Sequence, residues 1–351
     1  MKAYSPASTA VPTPSLVSII IPVYNGAPYL EAALRSALAQ TWMDIEIIVV
    51  DDGSQDDSVA IARRFVGSRV RLLEEAHRGA AATRNVGLAA AHGSWIQFLD
   101  CDDLLAPDKI AQQMGAAPPQ PGARTLLLGK FARFLSTAEG ERNYLWPDGR
   151  YRPEFPSQHA PWRNATPIDC LLQWWNERLE TTPLPWLIPA TLIAAAGPWA
   201  VQPLSRCDDF EWITRLILSS DEIVLTPEAQ AYYRNHVTGS LSSSGQARKP
   251  QELERQLEAY KLCVQHLRKA EDTDRTRRVS AALLMNFAYD AYASASKPAN
   301  EAARLARSLG VPLPECPGGR ISRILTQVIG WRASRRCQAW AIRAGYMRSY
   351  R

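Results

Sequence analysis

The sequence predicts an α/β fold, a parallel sheet wound with helices on both faces, followed by a helical C-terminal part. Three observations predict it. Short, continuous, β-branched apolar runs alternate with segments of helical period from Leu16 to Leu99, the pattern of strands buried on both faces. The connections between them are short, which favours right-handed crossovers and parallel pairing. From Glu252 onward the period is helical almost to the end, with breaks near Pro298 and from Pro312 to Gly319.

Each element follows from its residues. Met1 to Ser15 is rich in Pro, Ser, Thr and Ala and reads as a disordered tail. Leu16 to Val23 is the first strand, broken by Tyr24-Asn25-Gly26. Tyr29 to Gln40 is a helix with Leu30, Ala33, Leu34, Ala37 and Leu38 on one face. Ile45 to Val50 is the second strand and Asp57 to Phe65 the second helix. Val70 to Leu73 is a short strand, Gly79 to Ala91 a loop running into a helix, and Trp95 to Leu99 the next strand. Thr125 to Phe134 reads as a strand, Tyr144 to Trp162 as irregular, and Ile168 to Leu179 as a helix. Ala190 to Ala196 runs to the helix stop Gly197-Pro198. Phe210 to Ser219 is helical, and Glu222 to Leu225 and Ala229 to Tyr233 are two short strands.

Composition bounds the function. With 351 residues, 46% apolar and 21% charged, the chain can build one large α/β domain plus a helical part. The six cysteines are scattered with no metal or redox spacing, so reduced thiols in the cytosol are expected. No basic region followed by an apolar run opens the sequence, and no apolar stretch is long enough to span a bilayer. The expected location is the cytoplasm or the inner face of the plasma membrane. No nucleic-acid module accompanies the net charge of +5, so nucleic acid is not an expected partner.

The chemistry gathers where strands end. Trp95 to Leu99 runs into Asp100-Cys101-Asp102-Asp103. Clustered carboxylates repel unless a hard divalent cation neutralises them, and oxygen donors suit Mg²⁺ or Mn²⁺. A helix N-cap by Asp102 or Asp103, ahead of a helix starting near Pro107, accounts for the same residues. Asp51-Asp52-Gly53-Ser54 ends the second strand, on the same sheet edge. A carboxylate there would accept from a ribose hydroxyl or a base N–H; a turn with a helix cap is the alternative. Gly79 to Gly87 is rich in small residues and carries Arg84 and Asn85, which lets backbone approach a ligand and offers a charge to a diphosphate. It is neither a Walker loop nor a dinucleotide turn.

Val17 to Asn25, Tyr29 to Thr41, Val49 to Ser54, Arg84 to Gly87 and Phe98 to Asp103 together resemble, in order and spacing, the family 2 glycosyltransferases. The resemblance is dense from Val17 to Lys109 and thinner to Ser244. It implies a GT-A fold, a nucleotide-diphosphate sugar donor, most often UDP-linked, and transfer with inversion to a glycan or lipid-linked acceptor. It further implies Asp51 as the uracil-contacting carboxylate and Pro22, Tyr24 and Asn25 as the nucleotide pocket, with Glu31 near them. Gly79, Arg84 and Asn85 fall to the donor. Asp100 falls to the ribose or the metal's water shell, and Asp102 to the metal itself. The family's acidic pair ahead of a helix is here Asp208-Asp209, with Asp209 as general base and Asp208 in place of the usual Glu. A cap on Phe210 to Ser219 is the alternative. Tyr233 to Ser242 resembles the Tyr-Arg-x-His segment, with Arg234 offered to phosphate and His236 as a metal or diphosphate ligand, or a structural histidine. Among the tryptophans, Trp186 is the one chosen for the acceptor cleft, core packing being the alternative.

The expected organisation is a tail at 1–15, a nucleotide-sugar half at 16–109, an acceptor half at 110–245 and a helical region at 246–351. Gly318 to Arg351 holds no Asp or Glu and eight arginines interleaved with apolar side chains. That suits an anionic membrane surface, a helix packed on its own domain, or an oligomer contact. A non-catalytic sugar-nucleotide binding module and a nucleotidyltransferase are the rival functions. A processive synthase is set aside for want of its Gln-x-x-Arg-Trp motif and membrane spans.

Overall fold

A computed structural model describes residues 16–118, 122–137, 140–142, 165–179, 182–201, 207–236, 249–314, 330–337 and 340. Strands β1 (Val17–Val23), β2 (Ile45–Asp51), β3 (Val70–Glu74) and β4 (Trp95–Phe98) alternate with helices α1 (Ala27–Leu38), α2 (Ser58–Arg63) and α3 (Ala80–Ala90). Next come β5 (Leu104–Leu105), α4 (Lys109–Gly115), β6 (Thr125–Thr137), β7 (Gly140–Arg142), α5 (Pro167–Glu177), β8 (Trp186–Pro189) and α6 (Ala190–Ala196). The chain continues through α7 (Asp208–Ser219), β9 (Glu222–His236), α8 (Pro250–Ala270), α9 (Asp274–Ala291) and α10 (Ser296–Ser308). The strands form one sheet in the order β3-β2-β1-β4-β8-β6-β9-β5, with β7 on β6.

β1, β2, β3 and β4 pair parallel, as their alternation with helices across short connections predicts. Period-two alternation splits β1 between two cores. Val17, Ile19, Ile21 and Val23 pack on the α1 side, while Ile20 joins Phe98, the tryptophans and the helices α7 to α9. Gly87 sets how closely α3 lies on β1, since a Cβ there would collide with Ile20.

Beyond Pro107 the structure departs from the sequence reading. The two short strands expected at 222–225 and 229–233 are one long strand, β9, pairing parallel with β6 across an irregularity between Leu128 and Lys130. β8 was not expected. It is four residues bracketed by prolines, inserted antiparallel between β4 and β6. The N-cap alternative for Asp102 and Asp103 fails, because these residues lead into β5, and α4 starts later with Asp108 at its N-cap.

Candidate active site

The carboxyl edge of the parallel strands gathers the polar residues. Val23 pairs with Asp51, and Asp51 with Glu74, so Asp51 ends the middle strand of that edge. Asp51 Oδ2 accepts from the backbone N–H groups of Gly53 at 3.1 Å and Ser54 at 2.9 Å. The expected turn is therefore present, and it uses one oxygen only. Asp51 Oδ1 is buried with no hydrogen-bond partner. A buried acceptor left bare costs stability, so the position calls for an incoming donor.

Asp52, which the sequence reading left without a role, organises the next loop. Its carboxylate accepts from Arg78 N at 2.8 Å and Gly79 N at 2.9 Å, and its Oδ2 lies 2.9 Å from His77 Nδ1. His77 stacks on Tyr24, ring centroids 4.2 Å apart. Gly79 has φ +90°, a backbone state that favours glycine, and no atom lies within 4 Å of where its Cβ would stand. Asn25 sits in the left-handed region at φ 51°, held by Ser54 Oγ on its N–H and by Gln55 N on its Oδ1. Pro22 is buried in β1.

Arg84 lies at the centre of the other cluster. It is 6% exposed on the inner face of α3. Its guanidinium meets Asp100 Oδ1 at 2.9 Å, Asp209 Oδ1 at 3.4 Å and Asp208 Oδ2 at 3.6 Å, and lies 4.6 Å over the Trp199 ring. Residues from α3, the end of β4 and the start of α7 thus converge. Burial works against the Arg84 charge, and the three carboxylates outweigh it and keep the group protonated. Burial pushes the Asp209 carboxyl well above the ordinary range, with Arg84 pulling against it and Asp208 and Asp100 adding to the rise. Asp208 is raised chiefly by burial too. Neither caps α7: its N-cap is Cys207, whose side chain makes no capping hydrogen bond.

The Asp100–Asp103 turn is clamped from β9. Arg234 N donates to Asp103 Oδ1 at 2.8 Å, and Arg234 Nε to the Asp102 carbonyl at 2.6 Å. The Arg234 guanidinium lies against the rings of Phe134 and Tyr29 and the residue is 2% exposed, so it holds the turn rather than facing solvent. Asp102 itself is half-buried. The donors here are all hard carboxylate oxygens, and Asp103 Oδ2 is buried without a hydrogen-bond partner. This chemistry fits Mg²⁺ or Mn²⁺. Among the described residues no three His, Cys, Asp or Glu side chains converge as a ligand set.

Other chosen residues are placed differently from the reading. Trp186 is 1% exposed and stacks on Trp174 at 5.4 Å, so it belongs to the core and not to an open cleft. Glu31 is taken up in exposed ion pairs with Arg35 at 2.7 Å and Arg64 at 2.6 Å. Asn85 turns inward: its amide donates to the Trp199 carbonyl and accepts from the Trp199 N–H, both at 2.9 Å. The backbone of His236 ends β9, and its side chain lies outside the described residues. Asp52 was missed, and Trp199 was passed over for Trp186. No motif marks Trp199, and its place under Arg84 depends on a contact across 114 positions to Asn85.

Comparison with known proteins fits this geometry. Residues 18–160 match the family described as "Glycosyl transferase family 2". An "uncharacterized glycosyltransferase" of Haemophilus influenzae is 44% identical over 102 residues, 28% of this chain and 41% of that protein. One of Rickettsia typhi is 46% identical over 151 residues, 41% of this chain and 47% of that protein. The matches thus span less than half the length of these relatives. The crystal structure of S. aureus TarS 1-349 in complex with UDP-GlcNAc shares 16% identity at a TM-score of 0.62, covering 95% of this chain and 93% of that one. The mannosyltransferase PcManGT of Pyrobaculum calidifontis, in complex with GDP-Man and Mn²⁺, shares 18% identity at a TM-score of 0.50, covering 94% of this chain and 89% of that one. The fold is the GT-A fold, and residues 18–160 match glycosyl transferase family 2.

Proposed function

We propose that this chain transfers a sugar, with inversion, from a nucleotide-diphosphate donor to a hydroxyl of a glycan or lipid-linked acceptor. The convergence of Asp100, Asp208 and Asp209 on one buried arginine carries the reading. It sets a carboxylate pair from α7 beside the turn that holds Asp102. Residues 16–109 are proposed as the nucleotide-sugar half and 110–245 as the acceptor half.

Asp51 Oδ1 would receive the N–H of a nucleobase, and Tyr24 and Asn25 would flank it. Uracil offers such a donor at its pairing edge, as does guanine, whereas cytosine offers an acceptor at the same ring position. The neighbours solved with UDP-GlcNAc and GDP-Man support a nucleotide-sugar donor of one of these two kinds. UDP is the favoured one.

Asp209 would act as general base. The acceptor oxygen attacks the anomeric carbon, its proton passes to an Asp209 oxygen, and the bond from that carbon to the diphosphate oxygen breaks with its electron pair leaving on the diphosphate. Burial raises this carboxyl and so strengthens it as a base, while the Arg84 guanidinium favours its ionised form. Asp208 would orient the acceptor. Asp102, with His236, would hold a divalent cation, which when bound supplies positive charge to the leaving diphosphate. The neighbour solved with Mn²⁺ supports that metal.

No helix among the described residues is long and apolar enough to cross a membrane. The acid-free basic stretch from Gly318, with Trp340 exposed, supports a peripheral seat on an anionic inner-membrane surface.

A panel of UDP- and GDP-sugars incubated with Mn²⁺ tests the reading through nucleotide release. Release with one donor, abolished in Asp209→Asn, is the expected result. Tight UDP binding with no turnover on any donor or acceptor would instead favour a binding module, and pyrophosphate release a nucleotidyltransferase.

A further inference from the structure

We propose that Glu211, held from behind by His266 of α8, is a positioning residue for Asp209. The proposal rests on the reading of Asp209 as base. Glu211 follows Asp209 by two residues in the first turn of α7, about 200° further round the helix. The two carboxylates therefore leave α7 on nearly opposite sides, Asp209 toward Arg84 and Glu211 toward α8. That first turn has no side-chain cap at Cys207 to fix it locally.

Ties from behind take the place of a cap. Glu211 is 2% exposed. Its Oε1 accepts from Arg215 Nε at 2.7 Å and its Oε2 from Arg215 Nη2 at 2.9 Å. His266 Nε2 lies 3.0 Å from the same Oε1, and facing a carboxylate it is the donor. Arg215 carries the link onward, donating to the carbonyls of Ala196 at 2.5 Å and Pro198 at 2.9 Å, either side of Gly197 at φ +81°. The next residue is Trp199, stacked on Trp212 at 4.2 Å and lying under Arg84. Arg84 in turn meets Asp209. The chain of contacts therefore closes a ring from His266 through Glu211, Arg215 and Trp199 back to Asp209. Both oxygens of the buried Glu211 are answered, and losing one donor leaves that carboxylate short of a partner. The C-terminal helices thereby reach the reacting carboxylate without touching substrate.

Three variants test this. His266→Phe keeps the ring and removes the donor, His266→Gln restores a donor, and Arg268→Ala changes an exposed residue of the same helix. Hydrogen exchange of residues 207–213, with 17–23 as internal reference, reads the position of the turn without any need for activity. His266→Phe is expected to speed exchange at 207–213 about tenfold, leave 17–23 unchanged, and lower kcat about tenfold with the donor KM within about twofold. His266→Gln recovers most of both, and Arg268→Ala changes neither. Unchanged exchange at 207–213, an equal rise at 17–23, or equal behaviour of the Phe and Gln variants would overturn the proposal. A wild-type protein that turns over no donor would defeat the glycosyl-transfer reading instead, and the exchange data would still decide the tie.

Discussion

At the β2 end of the sheet edge, carboxylates are answered by backbone N–H groups; at the α7 end, three of them share one guanidinium. Asp51 and Asp52 between them accept from Gly53, Ser54, Arg78 and Gly79, leaving Asp51 Oδ1 open. Among the described residues, Asp100, Asp208 and Asp209 share Arg84 as their charged partner in common. The first arrangement is settled by backbone donors, and in the proposed function its one unused acceptor would read the nucleobase. The second is crowded with like charge, which costs stability and holds a carboxylate ready to take a proton. The proposed function thus assigns recognition and reaction to the same residue type in two electrostatic settings.

The contrast breaks most sharply at Asp209. Asp209→Asn is expected to lower transfer by about 10²–10⁴-fold, read as nucleotide release with acceptor present. It is also expected to stabilise the protein. The Asp209 carboxyl is raised in the folded state, so the fold binds that proton more tightly than the unfolded chain does. Its contribution is therefore greatest below the ordinary carboxylate range and is lost as pH rises toward the folded value. Replacing it with Asn should raise Tm by about 2 °C or more near pH 7.5, and the gain should vanish near pH 4. A falling Tm at pH 7.5 would mean the carboxylate stabilises its cluster.

Arg84→Met, the next largest effect, strands three carboxylates and is expected to cost about 3–5 kcal/mol in urea unfolding. The core residue Trp186 provides the calibration. Trp186→Ala should cost about 3–5 kcal/mol by opening a cavity against Trp174, while UDP affinity of the folded fraction stays unchanged. Asp51→Asn should behave in the opposite way. Tm is nearly kept, and UDP affinity by calorimetry falls about 10–100-fold, the worth of one charge-assisted hydrogen bond. Smallest of all is Glu31→Gln, which removes exposed ion pairs with Arg35 and Arg64 and should shift stability by less than about 1 kcal/mol, with donor KM unmoved.

The same contrast explains what could be read from sequence. β1, β2 and β4 were legible because each is a continuous apolar run ended by its own polar residues, so strand and edge motif are written together. Asp51, Asp100 and Arg84 came with them. β8 was not legible: Trp186 to Pro189 follows Pro185 and ends in a proline, and only burial between β4 and β6 makes it a strand. Trp186 was assigned to a cleft because an aromatic ring suits a sugar and a core equally well until its neighbours are known. Asn85 looked like a donor ligand for a similar reason, although its amide is spent on Trp199. The ties behind α7 escaped entirely, since His266 and Glu211 stand 55 positions apart and neither has a motif of its own.

The account turns on one nucleotide diphosphate reaching from Asp51 to Asp102. Calorimetric titration of UDP into the wild type, Asp51→Asn and Asp102→Asn, each with Mn²⁺ and then with EDTA, tests it most directly. Binding should be tighter with Mn²⁺ in the wild type and in Asp51→Asn, and the Mn²⁺ gain should disappear in Asp102→Asn. Equal affinity with and without the metal in the wild type, or a full Mn²⁺ gain kept by Asp102→Asn, would contradict it.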